Sequence, residues 1–179
     1  MKAIFFLAAL LVATPTTASD EFSSHPAAHR LTRPPTTPIV KSGKAHRYRS
    51  VLRAEAREGP NFNGHFRVAS WGCGTNCIEW AVIDLETGKV WFPSGPAYSC
   101  WAPEEHEEDV PDWFEMRITS SLLYLHVCDP PLRGSRTFTT RRVYLWSGAG
   151  LKFLRSERLV HAESRRKLGL FSPRLRDSV

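Results

Sequence analysis

One stretch limits the fold of this chain more than any other: residues 59–77, GPNFNGHFRVASWGCGTNC. From Phe62 to Trp71 one parity carries Phe62, Gly64, Phe66, Val68 and Ser70, and the other carries Asn63, His65, Arg67, Ala69 and Trp71. Alternation at period two predicts a half-buried strand with Phe66 and Val68 turned to a core. Gly59-Pro60-Asn61 in front of it is a turn signal, since Pro60 fixes φ while glycine and asparagine accept unusual backbone angles. At the far end Gly72 and Gly74 bracket Cys73, and the chain must reverse before the next apolar run, 78–85. The segment reads as strand, glycine-bearing loop and strand, with Cys73 and Cys77 placed to close the loop. Glycines there also leave backbone N–H groups open, the raw material of a small anion-binding nest.

These residues resemble a family of uncharacterised bacterial exported proteins marked by a GPNF-x-GH-[FY] segment followed by WGCGT-x-C. Gly64, His65, Phe66, Trp71, Gly72, Cys73, Gly74, Thr75 and Cys77 carry the resemblance, and it extends loosely into VIDLETGKVWF. It implies a bacterial envelope protein. No activity is attached to the family, so it brings no catalytic residue.

The N-terminus agrees with export. Met1-Lys2, the apolar run 3–13 and Thr16-Thr17-Ala18 read as a signal peptide over residues 1–18, with Ala13 as the other cleavage point. The run is shorter than the roughly 20 residues a bilayer-spanning helix needs, and no later segment is apolar enough to cross. No cysteine follows it for lipid attachment. A periplasmic or secreted location is therefore expected. The four cysteines, 73, 77, 100 and 128, all lie beyond the leader. An even count in an oxidising compartment predicts two disulfides, with three connectivities open. Cys73–Cys77 with Cys100–Cys128 is preferred because the first pair is local. Loop entropy gives about 2 kcal/mol for the short bridge and about 3.6 kcal/mol for the long one. Zinc is the rival for four cysteines, but paired C-x-x-C spacing is missing.

Residues 19–40, rich in Pro, Ser, Thr and Ala, are expected to be a flexible leader. His25 and His29 within it are read as linker residues rather than a metal pair, because a disordered pair binds metal poorly. Residues 45–58 carry Tyr48, Val51, Leu52 and Glu55-Ala56 on one helical stripe, ended by Gly59-Pro60. Later strands are expected at 78–85, 89–92, 113–119, 122–128, 141–147 and 151–154, with a tight turn at Glu86-Thr87-Gly88 and a long loop at 93–111. The expected fold is α+β or mainly β. An N-terminal helix packs on a single antiparallel meander sheet, curled into a sandwich or partial barrel. One disulfide-stapled domain spans 41–163, and a basic flexible tail follows at 164–179.

The formal net charge of +6 is modest, and basic flanks sit against an acidic block of Glu104, Glu105, Glu107, Glu108, Asp109 and Asp112. No basic patch interleaved with stacking residues points to nucleic acid. The acidic block lacks the ligand order of a calcium loop and reads as solvated. Among the six tryptophans, Trp80 and Trp91 read as core, while Trp71 and Trp101 adjoin cysteines and loops. No cofactor, metal or membrane span is expected, and the chain is read as a monomer.

Two readings of function stay open. The first is an envelope binding module for a protein or glycan, built on the disulfide-closed 71–77 loop. Its candidate residues are Asn61, Asn63, His65, Trp71, Gly72, Gly74, Thr75, Asn76 and Trp101. Asn61, Asn63 and His65 are expected to form one polar cluster beside the 72–76 loop, with Trp71 walling one side. The second is a small hydrolase or thiol-dependent enzyme centred on His65, with Asp84 or Glu79 as its acid or Cys73 or Cys77 as nucleophile. No nucleophile elbow or paired-carboxylate signature accompanies it, and no catalytic residue is assigned.

Overall fold

The predicted hairpin is present. Strand β1 (Phe66–Gly74) runs antiparallel to β2 (Cys77–Asp84), from Phe66 opposite Asp84 to Gly72 opposite Ile78. The computed structural model describes residues 18–74, 76–98, 112–128 and 139–159. Helices α1 (Ala18–Ser23), α2 (Gly43–Arg47) and α3 (Arg49–Arg57) are short, and the fold is mainly β.

Two antiparallel sheets of four strands replace the single meander that the sequence suggested, and neither closes into a barrel. In the first, β2 is central. It pairs with β1 on one edge, and on the other with β3 (Val90–Trp91) and β4 (Ala97–Tyr98). The second follows chain order: β5 (Phe114–Met116), β6 (Leu122–Val127), β7 (Thr140–Trp146) and β8 (Leu151–Arg158). The meander breaks after β4, and β5 to β8 pair in chain order with one another.

Side-chain parity then sorts the core. Ile78, Trp80 and Val82 of β2 join Phe66 and Val68 of β1 and Leu123, Leu125 and Val127 of β6, so both sheets share one apolar cluster. The opposite parity, Ala69, Ala81 and Ile83, meets Leu52 and Ala56 of α3. On the second sheet Leu122 and Tyr124 turn the other way, towards Phe22. This explains why 78–85 and 122–127 are apolar on both parities: each strand is covered on both faces. The expected helix packs on the sheet, but it is interrupted at Tyr48 (φ −100°, ψ 20°), whose ring lies 4.6 Å from that of Trp71.

The segment 19–40 also departs from expectation. Its composition predicts a flexible segment, but over residues 21–40 it is a strap lying along both sheets. Phe22 is fully buried against Tyr124, and Val40 is buried beneath α3. Between them the main chain pairs repeatedly: Ala27 N–H donates to Thr119, Leu31 to Gly64, Thr36 to Leu85 and Ile39 to Gly88. Counting apolar side chains misses this, since most of the docking is backbone hydrogen bonding. Two glycines make room for it. A β-carbon on Gly64 would sit 1.7 Å from the His29 carbonyl oxygen, and one on Gly88 would sit 2.5 Å from that of Thr37.

Cys73 and Cys77 are bridged, with Cα atoms 5.3 Å apart. Cys128 is also disulfide-bonded. Its expected partner Cys100 lies outside the described residues, as do the leader at 1–17, the acidic block from Glu104 to Asp109 and the tail at 164–179.

Candidate functional site

The structure divides the sequence-predicted site between the two ends of the β1–β2 hairpin. His65 immediately precedes β1, and the Cys73–Cys77 bridge closes its far end. At about 3.3 Å per residue the two lie roughly 25 Å apart. The single polar cluster expected beside the 72–76 loop is therefore not formed.

Asn61 is a structural residue. Its side-chain amide donates to the Val68 carbonyl and its oxygen accepts the Val68 N–H, which stands in for a neighbouring strand. Asn63 holds a left-handed turn position (φ 42°) before Gly64 (φ 80°), so residues 62–65 turn rather than extend. The parity inferred for Asn63 and His65 fails for that reason. The Asn63 N–H reaches the Arg117 and Ser120 carbonyls, while its Oδ1 is buried without a hydrogen-bond partner. Trp71 is half-buried against Tyr48, and its indole N–H is buried with no acceptor. Gly72, Cys73 and Gly74 are exposed, and Asn76 is left-handed (φ 55°). Thr75 and Trp101 lie outside the described residues.

The outer edge of β1 changes character along its length. Phe66 donates to Phe62 and accepts from Asn61 and Phe62, and Val68 is served by the Asn61 side chain. These groups point away from β2. In an antiparallel pair that direction recurs at every second residue, so Ser70 and Gly72 also turn their N–H and C=O outwards. Among the described residues neither has a partner on that edge. Both are exposed, and the pairing shifts register between Gly72 and Gly74. Across β2 from this edge, Tyr98 lies opposite Cys77 and is 54% exposed.

At the other end, the strap brings in two groups that sequence spacing did not reveal. His29 Nε2 lies 3.0 Å from Glu86 Oε2, and the His29 ring stacks on that of His65 at 4.3 Å with an 18° interplanar angle. His65 Nε2 lies 3.9 Å from Asp84 Oδ1 and 4.0 Å from Glu86 Oε2. Donor atoms of His29, His65 and Glu86 all fall within 4.8 Å of one another, close enough to share one metal ion. The hydrogen bond from His29 holds the Glu86 carboxyl below its ordinary range against a desolvation effect that pushes the other way. Asp84 stands beside them but is committed to the turn: it accepts the N–H groups of Glu86 and Thr87 and the Thr87 hydroxyl. Glu79, the other acid considered for His65, pairs with Lys44 instead. The thiol route has both local cysteines joined to each other at the opposite end of the hairpin.

A cleft of about 520 Å³ separates the strap from α3, lined by Pro35, Thr36, Thr37, Pro38, Arg53, Ala56 and Arg57, none of them a predicted site residue. No helix among the described residues is long and apolar enough to cross a membrane. Compared with protein-family models, curated proteins and solved structures, the chain matches none.

Proposed function

We propose that the protein is an exported binding module that takes an extended polypeptide segment as an added strand on the open edge of β1. The observation that carries this reading is the pair of outward N–H and C=O sets at Ser70 and Gly72, on an exposed edge held by the Cys73–Cys77 bridge. An unpaired edge is a template for another strand. The bridge and the Asn61 clamp fix that edge in advance, so a ligand need not bear the entropy of ordering it. Gly72 has no side chain to obstruct an approaching backbone. Tyr98 supplies an exposed aromatic surface on the far side of the tip. Main-chain pairing of this kind favours a protein partner over a glycan. The leader-like residues 1–18 and the resemblance of 59–77 to exported envelope proteins support placing that partner in the periplasm or outside the cell.

Ser70→Pro tests the reading. Proline removes the outward N–H without breaking a bond to β2, and edge positions tolerate it. A displayed library of linear peptides selected on the wild-type chain is expected to yield binders that lose the Ser70→Pro variant, while its melting temperature stays close to wild type. Peptides that bind both proteins equally would refute strand addition. Glycan-array binding that survives Ser70→Pro would replace the protein partner by a glycan.

A further inference from the structure

We propose that His29, His65 and Glu86 form a site for a borderline divalent transition-metal ion of the zinc class, with one coordination position left open. It lies at the opposite end of the hairpin from the β1 edge and does not depend on the peptide-binding reading.

The first ground is the donor set. Two imidazoles and one carboxylate bring donor atoms within 4.8 Å of one another. Zinc bonds of about 2.0–2.2 Å to such ligands place them a little over 3 Å apart around a tetrahedron. The His65–Glu86 separation of 4.0 Å and the His29–Glu86 separation of 3.0 Å bracket that value. His29 is the ring with freedom to adjust, since its side chain is 53% exposed. Imidazole with a single carboxylate suits zinc, nickel or copper, whereas calcium and magnesium require oxygen ligands throughout.

The second ground is independent of the cluster's composition. The His65 side chain is only 10% exposed, yet among the described residues neither ring nitrogen has a hydrogen-bond partner. Nδ1 is buried without a partner, and Nε2 points between Asp84 Oδ1 and Glu86 Oε2 at 3.9 and 4.0 Å, too far for either. Buried polar groups are ordinarily paired, and an imidazole held in this way has a lone pair available for a ligand. Charge does not oppose a cation here: the carboxylates of Asp84 and Glu86 lie beside the two imidazoles, with the Arg33 guanidinium bonded to the Glu86 carbonyl close by.

The fold also builds the approach. Gly64 lets the His29 backbone pass where any side chain would collide, and the Leu31 N–H to Gly64 carbonyl bond, 3.0 Å, fixes the strap there. Glu86 is positioned by the turn that Asp84 caps. An ion at this point would tie the strap, the start of β1 and the β2–β3 turn together.

The test is zinc binding to the full-length chain by equilibrium dialysis with metal analysis, alongside cobalt absorption spectra and histidine NMR. One equivalent of zinc per chain is expected, with shifts in the His29 and His65 ring signals. His29→Ala, at an exposed position that does not threaten folding, and Glu86→Gln should each weaken binding by about tenfold or more. His25→Ala should bind as wild type, and so should Ser70→Pro. Less than one equivalent on the wild type, an equivalent that survives both His29→Ala and Glu86→Gln, or equal uptake of calcium would each overturn the assignment.

Discussion

Gly64→Ala is the sharpest probe of the strap, because the structure separates its cost into two parts. Gly64 has φ +80°, and an alanine there bears the left-handed penalty of about 1–2 kcal/mol. Gly59 has nearly the same angle, φ +79°, but nothing within 4 Å of the position its β-carbon would take. Gly59→Ala therefore measures the backbone penalty alone. At Gly64 the new methyl would meet the His29 carbonyl oxygen at 1.7 Å, and a carbonyl cannot rotate aside as a side chain can. The strap must lift, losing the hydrogen bond from Leu31 N–H, worth about 1 kcal/mol net. It also loses the exposed His29–Glu86 contact, worth between zero and about 1 kcal/mol. Gly64→Ala should then cost about 2–4 kcal/mol, exceeding Gly59→Ala by about 1–2 kcal/mol. Urea unfolding of both oxidised variants, followed by tryptophan fluorescence, measures the difference. Equal midpoints would mean that residues 29–31 do not dock on the 62–65 turn, and the geometry assigned to His29 would fall with it.

Two further outcomes follow from the described contacts. Alkylation of the folded protein without reductant should label neither Cys73 nor Cys77, and Cys73→Ser should cost about 2 kcal/mol; labelling of either residue would contradict the bridge. Burial pushes the Glu21 carboxyl up, but hydrogen bonds from Tyr124 and Arg155 outweigh it and hold it below its ordinary value of 4.5; Glu157 is held down likewise by Arg141 and Arg155. A carboxyl with a depressed folded pKa contributes stability that is present above about pH 4.5 and lost as pH falls through the folded value. Acid titration of unfolding midpoints should therefore show a steeper decline below that point in wild type than in Arg155→Gln, and parallel curves would exclude the network.

The hairpin was legible because its signals are local. Period-two alternation placed Phe66 and Val68 in the core, turn chemistry placed the reversals at 72–76 and 86–88, and runs apolar on both parities marked β2 and β6 as doubly covered. The division into two sheets was not legible, because β3 and β4, which complete the first sheet on β2, are two-residue strands too short to show a period. Asn63 shows where the parity rule fails. Alternation predicts extended backbone through 62–71, yet a left-handed Asn-Gly step turns the chain just before His65 and redirects its ring. From there the ring faces Asp84, which the sequence had already put forward as its acid, and Glu86 and His29, which it had not. Glu86 and His29 are 57 residues apart, and no spacing rule links them. They meet because Leu31, Thr36 and Ile39 hydrogen-bond a proline-rich segment onto two glycine turns, a docking made by backbone groups common to every sequence. The glycines are the trace that the sequence does retain. Gly64 and Gly88 read only as turn residues when taken alone, but each also faces a carbonyl of the strap at a distance that excludes a β-carbon. The same substitution that tests the strap, Gly64→Ala, should for this reason also weaken zinc binding, because it moves His29 without altering any of the three ligands.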